Sequence, residues 1–125
     1  MTADLVAFLR QRLDEDEAAA LPFRNPLGEV RPWRCDEIGG KVREVGPSPF
    51  GLPDVISESD THLTAEHIAR HDPARVLADV QAKRAMLPHL VVEGHPLGYC
   101  DRCMCLRLLA SVWADHAEFD PSWKW

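Results

Sequence analysis

An Asp-Pro pair, Asp72-Pro73, sits in the middle of the most regularly helical stretch of this chain, Thr64 to Leu90, and rules out one long helix there. A proline inside a helix removes a backbone donor and crowds the preceding turn, and the residue before it avoids the α region. Asp72 can instead accept the first amide protons of a new helix, with Pro73 in its first position. The sequence thus predicts a two-turn helix with Thr64 as N-cap, a break near His71 and Asp72, and a longer second helix. Val76, Leu77, Val80 and Leu87 form the buried stripe of that second helix, helped by Ala74 and Ala78. Lys83 and Arg84 are its solvent side, and Pro88 ends it.

The flanking segments follow the same local rules. Leu5, Val6, Leu9 and Leu13 recur at helical spacing between Thr2 and about Ala20, with Phe8 beside them. Thr2 reads as the N-cap, Asp4 suits the positive helix end, and Pro22 closes the segment. Residues 22–30 read as a loop. Pro32 to Glu37 and Lys41 to Val45 then read as the arms of a hairpin turning at Gly39-Gly40, where two glycines can both take positive φ. Gly46 to Pro53 is a loop, and Val55 to Ser57 offers a third strand. After a turn-rich link over 91–102, a last helix is predicted from about Cys103 to Ala114, with Leu106, Leu109, Ala110 and Trp113 on one face. Asp120-Pro121 should turn the tail so that Trp123 folds back, because leaving it in water forgoes roughly 2 kcal/mol or more.

These readings assemble into a single α+β domain, residues 1–125, mostly helical. It has an N-terminal helix, a small antiparallel hairpin or three-stranded sheet, a proline-broken central helix, and a C-terminal helix with a packed aromatic tail. The expected core is Leu5, Leu9, Leu13, Trp33, Val76, Leu77, Val80, Leu87, Leu106, Leu109 and Trp113. A chain of 125 residues can bury such a core without disulfides. No apolar run approaches the roughly 18 residues that span a bilayer. Asp4, Arg10 and Arg12 also break the pattern of a secretory leader. The expectation is a cytoplasmic protein with no membrane partner.

Four cysteines in such a setting suggest free thiols or a metal site more than disulfides. Cys100 and Cys103 have the Cys-X-X-Cys spacing that lets two thiolates grip one tetrahedral ion, and zinc favours sulfur and imidazole. Cys105 and His95 are the further ligand candidates, with Cys35 a distant alternative. Cys103 and Cys105 would diverge on a helix. A redox role for Cys100 and Cys103 lacks the βαβ context of a thioredoxin-like site. A second candidate metal site is His67 and His71, four apart on one helical face. A zinc hydrolase would place a glutamate where Ile68 stands, and His62 or Asp72 would have to complete the site. The run Asp14, Glu15, Asp16, Glu17 is either a solvated face or a docking patch for a basic partner.

The opening MTADLVAFLRQRLDEDEAAA, the central HIARHDPARVLADVQAKRAML (His67 to Leu87) and the ending LRLLASVWADHAEFDPSWKW (Leu106 to Trp125) resemble a family of uncharacterised actinobacterial and actinophage proteins, a domain of unknown function. The three blocks cover about half the chain, and His-Asp-Pro-Ala-Arg-Val-Leu is the most specific piece. The resemblance implies a cytosolic protein of that group, with a phage or mobile-element origin open. It implies no activity and does not extend to the cysteine group, so the metal reading rests on spacing.

Three functions compete. The favoured one is a non-catalytic interaction or regulatory module that binds another protein and is stabilised by zinc. The second is a metal-dependent hydrolase on His67, His71 and Asp72, weakened by the missing glutamate. The third is a zinc-clipped nucleic-acid-binding domain. A formal charge of −6 disfavours it, because that affinity rests largely on phosphate neutralisation.

Overall fold

The computed structural model describes residues 2–25, 27–36, 40–46, 55–58 and 61–125. Its elements are α1 (Thr2–Ala20), a 3₁₀ turn (Leu21–Phe23), β1 (Trp33–Cys35), β2 (Lys41–Glu44), β3 (Val55–Glu58), α2 (His62–Arg70), α3 (Pro73–Leu90), α4 (Asp101–Ser111) and a second 3₁₀ turn (Pro121–Trp123). The class is mixed α+β, with a three-stranded antiparallel sheet and helices at the N-terminus, centre and C-terminus. The glycine turn of the hairpin falls largely on residues 37–39, and the loop 46–53 largely on 47–53, outside the described residues. No helix among the described residues is long and apolar enough to cross a membrane. The chain gathers into two compact units, residues 1–16 with 80–125, and residues 17–79.

The unit of residues 17–79 is built around the sheet. Its strands lie in the order β1-β2-β3, with Trp33 opposite Glu44, Cys35 opposite Val42 and Lys41 opposite Glu58. Alternation puts Val42, wholly buried, on the face that meets Ala65 and Ala69 of α2, with Trp33, Cys35 and Ile68 around them. Two alanines let the helix approach the sheet closely, and burying Val42 contributes roughly 2 kcal/mol. The break at Asp72 is as the sequence predicts. The carboxylate accepts from Arg75 N at 2.7 Å, capping α3, and from Trp33 N at 2.8 Å, tying β1 to the helix start. Thr64, expected as the N-cap, lies inside α2. Thr61 is the cap and accepts from Thr64 N at 3.2 Å. Both threonines offer the same hydroxyl, and the helix takes the earlier one.

In the other unit α1 buries Leu5, Val6, Phe8, Leu9 and Leu13, α3 buries Val80 and Leu87, and α4 buries Leu106 and Ala110. Of the residues expected in the core, Leu109 and Trp113 here, and Trp33, Val76 and Leu77 in the 17–79 unit, are half-buried. Thr2 is not a cap but the first helical residue of α1. Pro88 does not end α3, which runs on to Leu90. So near a C-terminus it forfeits only one bond, and Val91 N still reaches Leu87 O at 3.0 Å. Lys83 and Arg84 are half-buried rather than solvent-facing. The Lys83 ammonium stands 5.5 Å from the Trp113 ring centroid, and Arg84 pairs with Asp14 at 2.5 Å. Helix α4 starts and stops earlier than predicted, leaving Trp113 in the turns beyond it. The tail returns as expected. Asp120 Oδ1 accepts from Ser122 N at 2.8 Å, and Trp123, 5% exposed, meets Phe8 and Phe119 with centroids 5.1 and 5.6 Å away.

Candidate metal centre

Residues 91–100 bring the chain from α3 to α4, and each potential ligand is positioned by its own local rule. His95 closes a turn in which its N–H donates to Val92 O at 3.1 Å and Gly94 takes a φ of +74°. That left-handed conformation is what requires glycine, since a Cβ there would meet nothing within 4 Å. Thr2 Oγ1 donates to His95 O at 2.9 Å and holds the turn against the start of α1. Cys100 is the N-cap of α4, with φ −66° and ψ 163°, and its carbonyl accepts from Met104 N at 2.9 Å. Cys103 follows in the first turn on the same side. It is 1% exposed, accepts from Gly98 N at 3.4 Å, and donates its thiol to Pro96 O at 3.7 Å.

The outcome is convergence. One donor atom from each of His95, Cys100 and Cys103 lies within 4.8 Å of the others, and Cys100 Sγ is 3.3 Å from His95 Nε2. Among the described residues this is the one cluster of three or more Cys, His, Asp or Glu donors close enough to hold a metal ion. The Cys100 thiol is lowered from 9.0 to about 7. The Cys103 amide directed at its sulfur is the main cause, followed by the Cys103 thiol and the His95 ring. Each of these favours the thiolate, the form that binds metals. A cleft of about 360 Å³, bordered by Val92, His95, Cys100, Asp101 and Arg102, opens beside the cluster.

Arg107 braces this loop from beneath and was not singled out in the sequence. It is 4% exposed, and its guanidinium donates to Gly98 O at 3.1 Å, Ser122 O at 2.7 Å and Lys124 O at 3.0 Å. One signal was available, since Arg107 shares the buried side of α4 with Cys103, Leu106 and Ala110.

The remaining candidates are placed differently. Cys105 is half-buried and outside the cluster. Two residues past Cys103 on a helix means a turn of roughly 200° around the axis. Cys35 packs at the sheet core. His67 and His71 are exposed and stacked with centroids 4.4 Å apart, and His71 Nδ1 donates to His67 O at 2.9 Å. Asp72, their prospective co-ligand, has both oxygens engaged by backbone amides. Within the acidic run, Asp14 pairs with Arg84 and Glu15 with Arg12 at 3.0 Å, while Asp16 and Glu17 are half-buried.

Fold and cluster together define a small mixed α+β protein with a Cys-Cys-His donor group at the N-terminal end of a helix. The chain belongs to DUF6221, a family of unknown function whose model matches residues 2–125. Comparison with curated proteins finds no match, and comparison with solved structures finds none either.

Proposed function

We propose that this chain is a zinc-clipped regulatory module. Its ion, held by His95, Cys100 and Cys103, fastens the 91–100 link to α4 and keeps one coordination position for an outside ligand. The observation that carries this is the convergence of the three donors within 4.8 Å. At zinc bond lengths of about 2.3 Å to sulfur and 2.0 Å to nitrogen, tetrahedral ligands stand roughly 3.5–3.8 Å apart, so the donors need only small side-chain rotations. Structural zinc sites have four protein ligands, and three leave a place for water or a partner's group. The cleft beside the cluster, bordered by Val92, gives an outside ligand room to reach it, and the strongly exposed Tyr99 precedes Cys100 in the chain. The exposed Val92 and Tyr99 suit a protein partner, and the net charge of −6 speaks against nucleic acid. The same contacts shift the expected docking surface away from Asp14 to Glu17, part of whose charge is already paired within the chain. The cytoplasm, where thiols stay reduced, is the compartment in which such a group keeps its metal.

Protein purified without chelator should hold near one zinc per chain by elemental analysis. Cys100→Ser, Cys103→Ser and His95→Ala should each lower that content, while Cys105→Ser leaves it intact. A metal-free sample whose melting temperature is unmoved by added zinc would defeat the proposal.

A further inference from the structure

The same two cysteines carry a second chemistry. Cys100 is exposed, whereas Cys103, three residues on, is almost wholly buried. A reagent in solvent therefore meets Cys100 first. The two sulfurs already lie within 4.8 Å. An N-cap and the third residue of its helix have Cα atoms about 5 Å apart, inside the range that a disulfide spans. Cys100 is extended rather than helical, with ψ 163°, which frees its side chain to swing over the first turn. Gly98 N and Pro96 O hold the Cys103 sulfur in place to receive it.

We infer that Cys100 and Cys103 form a redox pair that a hydroperoxide converts to a disulfide, with release of the bound zinc. The release rests on the zinc reading above, and the disulfide does not. The Cys100 thiolate attacks the terminal peroxide oxygen, so that an S–O bond forms and the O–O bond breaks. With hydrogen peroxide the departing hydroxide takes a proton from water-borne buffer. The Cys103 sulfur, a thiolate on zinc or otherwise a thiol that passes its proton to the departing hydroxide, then attacks the Cys100 sulfur, forming the S–S bond and breaking the S–O bond, and a second water leaves. Two cysteine sulfurs are oxidised by two electrons, one peroxide is reduced to two waters, and the ion loses two of its three protein ligands.

The test treats the zinc-loaded full chain with hydrogen peroxide and follows three readouts together. These are free zinc with a chromophoric indicator, intact mass, and disulfide mapping after proteolysis. The expected result is one zinc released for each disulfide, a mass loss of two hydrogens, and a Cys100–Cys103 linkage. A dithiol reductant should then restore zinc binding. The Cys105→Ser variant should behave as the parent. A Cys103→Ser variant, provided that it folds, should stop at a Cys100 sulfenic acid trapped by a 1,3-diketone. Mapping on the unaltered chain keeps the inference testable if that variant does not fold. A disulfide joining Cys103 to Cys105, or Cys100 ending as a sulfinic acid beside a free Cys103, would overturn it. Should the purified chain hold no zinc at the outset, the function proposed above fails by itself, and the mapped linkage still decides the redox pair.

Discussion

Arg12 and Arg107 are both almost wholly buried, and they are satisfied in different ways. Arg12 reaches the His116 ring, Glu118 and Glu15, yet among the described residues its Nε has no hydrogen-bond partner. Arg107 spreads its donors over three backbone carbonyls. Neither arrangement is written in the helix that carries the arginine: Glu15 is a neighbour of Arg12, but His116 and Glu118 lie more than a hundred residues on, and the carbonyls around Arg107 belong to the preceding link and the tail. An arginine on an apolar stripe looks from sequence like a solvent-facing interruption. Asp72 is the opposite case, since capping is a short-range property and its neighbour Pro73 announces it. Gly94 is the residue at which the candidate metal centre depends most directly on backbone conformation. Gly94→Ala introduces no clash, but it places a Cβ at a φ of +74°. It should cost about 1–2 kcal/mol in urea unfolding and weaken zinc binding severalfold, because the turn that presents His95 is strained. A variant with unchanged stability and zinc affinity would show that the turn does not position His95.

At the scale of elements, the tail is the clearest case of a short sequence signal yielding a packed structure. The Asp120 carboxyl is held below its ordinary value by the Ser122 amide and then the Ser122 hydroxyl, so at neutral pH it stays charged and keeps its cap. The turn delivers Phe119 and Trp123 to Phe8 in a cluster of edge-on and tilted rings. Deleting residues 119–125 removes two large buried aromatics and should destabilise the chain by roughly 4 kcal/mol, read as a lower thermal midpoint. An unchanged midpoint would mark the tail as dispensable to the fold. Helix existence was legible throughout, because periodicity and proline act locally. Helix ends were less so. Thr61 and Thr64 compete as caps, and the start of α4 at Asp101 rather than near Cys103 depends on the extended backbone of Cys100 at the N-cap. That boundary also separates the legible part of the site from the illegible part. Cys-X-X-Cys spacing identifies Cys100 and Cys103 in any register, and helical periodicity already sets Cys105 apart from Cys103, but only the helix start at Asp101 shows that Cys100 is the N-cap.

For the molecule as a whole, the two units divide its features. Residues 17–79 hold the sheet with its packed helix, and the unit of 1–16 with 80–125 holds the donor cluster, both buried arginines and the aromatic tail. Zinc that binds only the folded chain should stabilise it by about 2.7 kcal/mol when present at a hundred times its dissociation constant, visible as a higher melting temperature. Arg107 gives that stabilisation a destination. One guanidinium grips Gly98 on the donor link and Ser122 and Lys124 on the tail, so fastening either one favours fastening the other. Linkage makes the effect mutual. If the tail strengthens zinc binding by some factor, zinc must strengthen tail docking by the same factor. Titrating chelator into the zinc-loaded chain should therefore loosen Trp123 from Phe8 and shift its fluorescence to the red. On the zinc proposal, Arg107 would make the chain's last few residues a gauge of whether the ion is in place.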